Sequence, residues 1–145
     1  LFVLCADHGT SAAKDHLGYE PGKYHIPLIF AGGALNKNFR GVKITTLGSQ
    51  IDIVSTLLHQ LNISSEKFKW SNNLLNKYRN EFAYYSYDDG FGIMTPNNIL
   101  VWDNRAKKIY FPDSLRDAKL SEKQNKILDE GKSYLEVLFQ QYMDF

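Results

Sequence analysis

Asp7-His8-Gly9 is the first group in this chain equipped to do chemistry. It directly follows the apolar run Leu1-Phe2-Val3-Leu4-Cys5-Ala6, and in open α/β sheets ligands collect beyond the carboxyl ends of buried strands. A carboxylate and an imidazole adjacent in sequence can share one divalent ion where the backbone leaves its strand and turns, and Gly9 supplies freedom for that turn. The same tripeptide is also an ordinary turn with an exposed histidine. Lys14 and His16 come next, then His25 in Tyr24-His25-Ile26-Pro27, at the entrance to a second apolar run, Ile26 to Ala31. If the two runs are parallel neighbours, His25 lies at the opposite end of the sheet from Asp7 and His8. An antiparallel or irregular arrangement brings the three together. Taken alone, Lys14 reads as a solvated lysine and His25 as a packed or capped histidine. His16 and His59 are weaker candidates, His59 because it falls on an expected helix.

The elements that must position these residues follow from periodicity. Two runs apolar on both faces suit central strands of a sheet covered on two sides, as in α/β proteins. Cys5, within the first run, reads as a small buried hydrophobe. From Ser49 the pattern becomes helical, with Ile51, Val54, Leu57, Leu58 and Leu61 as the apolar stripe, Ser49 as N-cap, Asp52 at N3, and an end near Asn62. The stretch 63–80 is polar and irregular, with Phe68 and Trp70 embedded, and reads as a surface loop. Four β-rich segments follow, Phe82–Tyr87, Phe91–Thr95, Ile99–Trp102 and Lys108–Phe111, and predict an antiparallel meander whose last hairpin has an exposed tip at Arg105, Lys107 and Lys108. Ser121 opens a final helix with Ile127, Tyr134, Leu135, Leu138, Phe139 and Tyr142 on its apolar stripe, interrupted by Gly131 at a cost of about 1 kcal/mol. The fold class is α/β, or α+β for these residues alone. The pattern divides into an α/β part over 1–65 and a small antiparallel β subdomain with its C-terminal helix over 66–145.

Composition removes several function classes. With 145 residues, 43% hydrophobic and 23% charged, the chain is neither disordered nor collagenous. Seventeen Lys and Arg against 16 Asp and Glu leave a net charge of +1 and no global field for a polyanion, so no nucleic-acid partner is expected. A single cysteine excludes an internal disulfide framework and any cysteine-rich zinc module. No apolar run approaches the roughly 20 residues that a membrane-spanning helix needs. The chain starts within an expected strand, and its upstream part is expected to be missing.

Taken in order, Leu1 to Gly9, then Lys14, then Lys23-Tyr24-His25-Ile26-Pro27-Leu28-Ile29-Phe30, then Ser49 to Leu58 resemble the C-terminal part of sulfatase-like enzymes of the alkaline phosphatase superfamily. The lipoteichoic acid synthase and phosphoethanolamine transferase type is the nearest in pattern. Asp103-Asn104-Arg105-Ala106-Lys107-Lys108-Ile109-Tyr110 resembles the family's small terminal subdomain more loosely. The resemblance implies that Asp7 and His8 are two downstream ligands of a divalent ion, Mn²⁺ or Zn²⁺, with Ca²⁺ or Mg²⁺ as further options. It implies that His25 stands near the phosphate or sulfate group of the substrate and that Lys14 is a second catalytic residue. The family's nucleophile, a Thr, a Ser or a formylglycine, and its acidic upstream ligand are assigned to no residue here. Ser55 stands where the family often has proline.

The implied function is part of a metal-dependent sulfatase-like hydrolase or transferase, acting on phosphate or sulfate esters of a cell-envelope glycolipid or polymer. A sulfuric ester hydrolase proper and a non-catalytic structural or binding fragment are the alternatives. The implied partners are the ester substrate and the missing N-terminal part of the same domain, with membrane contact only through helices in that part. The implied location is the extracytoplasmic face of a bacterial membrane, periplasmic or at the cell surface. A third reading takes Trp70, Tyr84, Tyr85, Tyr87, Trp102 and Tyr110 as a carbohydrate surface. Strand aromatics are usually core, but Tyr84, Tyr85 and Tyr87 cannot all face inward, since neighbours in a strand point to opposite faces.

Overall fold

The computed structural model describes residues 1–9 and 16–144. Its elements are β1 (Phe2–Cys5), β2 (Leu28–Ala31), α1 (Asp52–Gln60), β3 (Ala83–Tyr87), β4 (Gly90–Thr95), β5 (Asn98–Asp103), β6 (Lys108–Phe111) and α2 (Glu122–Met143). They form a two-stranded sheet, β1-β2, and a four-stranded sheet, β3-β4-β5-β6. Every pairing is antiparallel, so the described chain is α+β. No helix of the described residues is long and apolar enough to cross a membrane. By contacts the chain divides into two compact units, Leu1–Thr45 and Thr46–Phe145. Helix α1 therefore groups with the sheet that follows it, and the change of sequence pattern at 65/66 falls inside the second unit.

In the first unit, β1 and β2 are the two expected apolar runs, but they are not buried. Phe2, Leu4 and Ile29 are exposed, and so is Cys5, which corrects its reading as a core residue. Two strands alone leave both faces of a sheet open, and each of these strands is apolar on both.

The second unit has a true core. Phe91, Ile93, Leu100 and Ile109 of the sheet pack against Ile127 and Leu128 of α2, with Tyr84, Trp102 and Leu135 at the margin. These side chains share a face because the register pairs Phe91 with Trp102, Ile93 with Leu100, and Trp102 with Ile109. Gly131 is buried where α2 crosses the sheet, and a Cβ there would run into the Phe91 ring. Its lower helix propensity is the condition for that close approach. On the other face, the rings of Tyr85 and Tyr87 lie over Gly92 and Gly90, which have no side chain to obstruct them. The hairpin tip 104–107 closes through Lys107 at φ 56°, and Arg105, Lys107 and Lys108 are exposed as expected. Ser121 caps α2 in a reciprocal box with Gln124. The apolar stripe of α2 is shorter than its sequence predicts: Phe139 and Tyr142 are exposed, and the buried positions stop at Gly131.

Helix α1 buries polar positions more deeply than its expected apolar stripe, of which Leu57 and Leu58 are half-buried. Its buried residues are Asp52, Ser55 and Thr56, while Ile51, Val54 and Leu61 are exposed. The reason is hydrogen bonding to an irregular segment that has no partner strand. Asp52 accepts the backbone N–H of Ser49 at 2.9 Å and of Asn72 at 2.7 Å. Thr56 accepts the Leu74 N–H at 2.8 Å, and Ser55 donates its own N–H and its hydroxyl to Ser71. Proline at position 55 would lack the first of those donors. Segment 71–74 thereby satisfies its backbone on a helix face, and a buried polar face is tolerated because its groups are paired. Ser49 does not cap α1 with its side chain; its hydroxyl bonds the backbone of Tyr84 in β3. The helix ends where Asn62 takes φ 56°.

Candidate active site

The antiparallel register answers the question the sequence left open. Cys5 pairs with Leu28, so the carboxyl end of β1 and the entrance of β2 form one edge. Asp7-His8-Gly9 leaves β1 at that edge, and Tyr24-His25-Ile26-Pro27 enters β2 there. The two connections also touch. The backbone of Gly9 lies against the Lys23 carbonyl and the Tyr24 Cα so closely that a Cβ on Gly9 would collide with that carbonyl. Gly9 has no left-handed φ, so it is needed for close approach and not for an unusual turn. The loop that carries His25 is shaped by the 3₁₀ turn Pro21–Tyr24 and by the Tyr24 hydroxyl donating to the Gly18 carbonyl at 2.8 Å. Lys14 lies outside the described residues.

The donor set of Asp7 and His8 is compatible with a divalent cation. One Asp7 carboxylate oxygen accepts the His8 backbone N–H at 2.9 Å. His8 Nδ1 lies 2.8 Å from the Gly9 carbonyl, which can only accept, so the neutral imidazole that makes this contact is protonated at Nδ1 and offers Nε2 as its ligating atom. Nε2 is 3.8 Å from the second Asp7 oxygen. Two donors with metal bonds of about 2.0–2.2 Å can stand at most about 4 Å apart, so the pair falls within reach of one ion. The carbonyl behind Nδ1 is the kind of outer partner that orients a ligating imidazole. Both side chains are largely exposed, at 89% for Asp7 and 81% for His8. Among the described residues no third His, Cys, Asp or Glu completes a cluster with them.

The other histidines have local partners. His16 Nδ1 meets Glu20 at 3.0 Å, and its ring covers Gly22. His59 lies on α1, 3.4 Å from the Ser65 hydroxyl. A hollow of about 430 Å³ lined by Phe30, Gly32, Gly33, Arg40 and Gly41 sits at the far end of β2, away from Asp7 and His25. Arg40 there donates to the carbonyls of Leu35 and Gly33 and holds its own loop.

Sequence reasoning missed the Lys23–Tyr24 backbone as the surface that receives Gly9, although Pro21-Gly22 was a signal for a turn at that point. It also missed the polar set Asp52, Ser55 and Thr56, whose i, i+3, i+4 spacing marks a helix face as clearly as an apolar stripe does. No family model, curated protein or solved structure matches the chain.

Proposed function

We propose that the chain is the downstream portion of the catalytic domain of a metal-dependent, sulfatase-like hydrolase or transferase that acts on phosphate or sulfate esters of a cell-envelope glycolipid or polymer. In this reading β1 and β2 belong to an alkaline-phosphatase-like α/β sheet, and the domain faces the extracytoplasmic side of a bacterial membrane. Asp7 and His8 are two metal ligands, His25 contacts the transferring group, and Lys14 assists it.

The observation that carries the reading is the antiparallel pairing of Cys5 with Leu28, which gathers the Asp7-His8-Gly9 and His25-Ile26-Pro27 connections at one sheet edge. The open apolar faces of β1, β2 and α1 also support it, because such surfaces are normally covered in a larger domain. A divalent ion at Asp7 and His8 supplies charge neutralisation at the transferring group and a lowered pKa for a nucleophilic hydroxyl. The carboxylate of Asp7 contributes the negative charge that retains the cation, and the Gly9 carbonyl keeps His8 in its ligating tautomer. His25, when protonated, stabilises a non-bridging oxygen or gives its proton to the leaving oxygen. With the nucleophile assigned to no residue here, the chain alone has no turnover of nitrophenyl phosphate or sulfate.

Paramagnetic Mn²⁺ tests the site directly. On titration into the chain, the ring signals of His8 and His25 should broaden together, and both Asp7→Ala and His8→Ala should abolish the effect. Broadening centred on His16 or His59, or an unaffected His25, would remove the proposal.

A further inference from the structure

We propose that the groove along α2 beside Trp70 binds a neutral, extended carbohydrate chain. The inference stands on the second unit alone and does not need the metal reading. The groove is open, about 1040 Å³ in volume, and combines Trp70, Tyr134 and Val137 with the outer face of α2, including Asn125, Glu130 and Ser133. From Glu122 to Val137 that face runs about 22 Å at 1.5 Å per residue, which suits an oligomer better than a single ring.

Its aromatic wall is held in place before any ligand arrives. Trp70 and Tyr134 meet edge to face with centroids 4.8 Å apart, and the Trp70 Nε1–H donates to Gln141 Oε1 at 2.7 Å. A fixed indole loses little conformational freedom on binding.

The charges along the groove select among ligand classes. The charged residues that line it, Glu122, Lys123, Lys126, Asp129 and Glu130, are of both signs; Lys126 lies 4.0 Å from Glu130, and Asp129 lies 3.8 Å from Lys132 just outside the lining. With the two signs interspersed along the lining, a polyanion or polycation meets no one-signed field there. An apolar partner helix would have to desolvate these charges at a cost. A sugar chain avoids both penalties. It lays apolar C–H faces on the aromatic wall and on the aliphatic stems of the lysines, and directs hydroxyls to carboxylates, amide and serine.

The test is an NMR titration of the 145-residue chain with chitotetraose, cellotetraose and maltotetraose, with polyglutamate as a polyanionic arm. At least one sugar should saturably shift the Trp70 indole N–H and the backbone amides of 122–137 while leaving the Trp102 indole unmoved. Trp70→Ala should weaken that binding at least tenfold. Ser133→Arg, at an exposed helix position that leaves the indole in place, should do the same. The proposal is overturned if no sugar shifts these signals up to about 10 mM, if the shifts survive both substitutions, or if polyglutamate occupies the groove and the sugars do not. Self-association of the chain that Ser133→Arg abolishes would instead assign the groove to a second copy, and would equally overturn it.

Discussion

In the second unit Phe91, Leu100 and Val101 are fully buried, whereas in the first unit Phe2 and Leu4 expose 70% and 55% of their surface. The second unit closes a sheet face with a capped helix of 22 residues. The first has only β1 and β2 and no buried hydrophobic residue among those described. The residues with catalytic potential, Asp7, His8 and His25, all belong to the first unit, and the stabilising core belongs entirely to the second. Local stability and candidate chemistry are thus assigned to different lengths of chain.

Removing one phenylalanine from each unit should have very different consequences. Phe91→Ala should cost about 3–5 kcal/mol in denaturant unfolding, because a large ring with no exposed surface leaves a cavity. A loss below 1 kcal/mol would show that the second unit's core is not what holds it. Asp52→Ala comes next, at roughly 2–3 kcal/mol, since it removes the buried acceptor of the part-buried N–H groups of Ser49 and Asn72. Amide exchange should then accelerate across 71–74 more than in β4. Gly131→Ala gains about 1 kcal/mol of helix propensity but collides with Phe91, and overpacking of that kind costs about 1–3 kcal/mol. The expected net is a loss of about 1 kcal/mol, and a more stable variant would mean that α2 can move off the sheet freely.

A smaller effect concerns the tyrosines. The Tyr84 hydroxyl is buried with no hydrogen-bond partner among the described residues, so Tyr84→Phe should be neutral or stabilising by up to about 1 kcal/mol. Burial, with Tyr134 next to it, pushes the Tyr84 phenol well above its ordinary value, and burial together with Asp52 raises Tyr134. A raised folded-state value means that the native state holds these protons more tightly than the unfolded chain. Their contribution is therefore complete below pH about 10 and declines as pH rises beyond it. Absorbance near 295 nm should show two tyrosines ionising late, and the alkaline loss of stability should be reduced in Tyr84→Phe. Phe2→Ala should have the smallest effect of all, within about 0.5 kcal/mol, as expected of an exposed side chain. A loss comparable to that of Phe91→Ala would show that the first unit hides its apolar face in solution.

Much of the architecture was legible from local pattern. The four strands of the meander, the hairpin tip at Arg105 to Lys108, the Ser121 cap and both apolar runs stand where alternation, turn residues and capping chemistry put them. Their signals lie within a few residues of the elements they specify. The misreadings concern what covers each element. Ile51, Val54 and Leu61 form a proper stripe, yet α1 buries Asp52, Ser55 and Thr56, because the loop 71–74 offers backbone donors and acceptors in place of an apolar surface. Phe139 and Tyr142 continue the periodicity of α2 but are exposed, beyond its buried positions Ile127, Leu128 and Gly131.

The candidate site divides along the same line. Local sequence supplies the available groups: an Asp-His-Gly leaving one strand, a His-x-Pro entering another, and a glycine where the two connections touch. That these groups share an edge follows from the fold, because strand direction depends on pairing between distant segments and leaves no trace in the composition of either strand. The antiparallel match of Cys5 with Leu28 turns two separate motifs into one place.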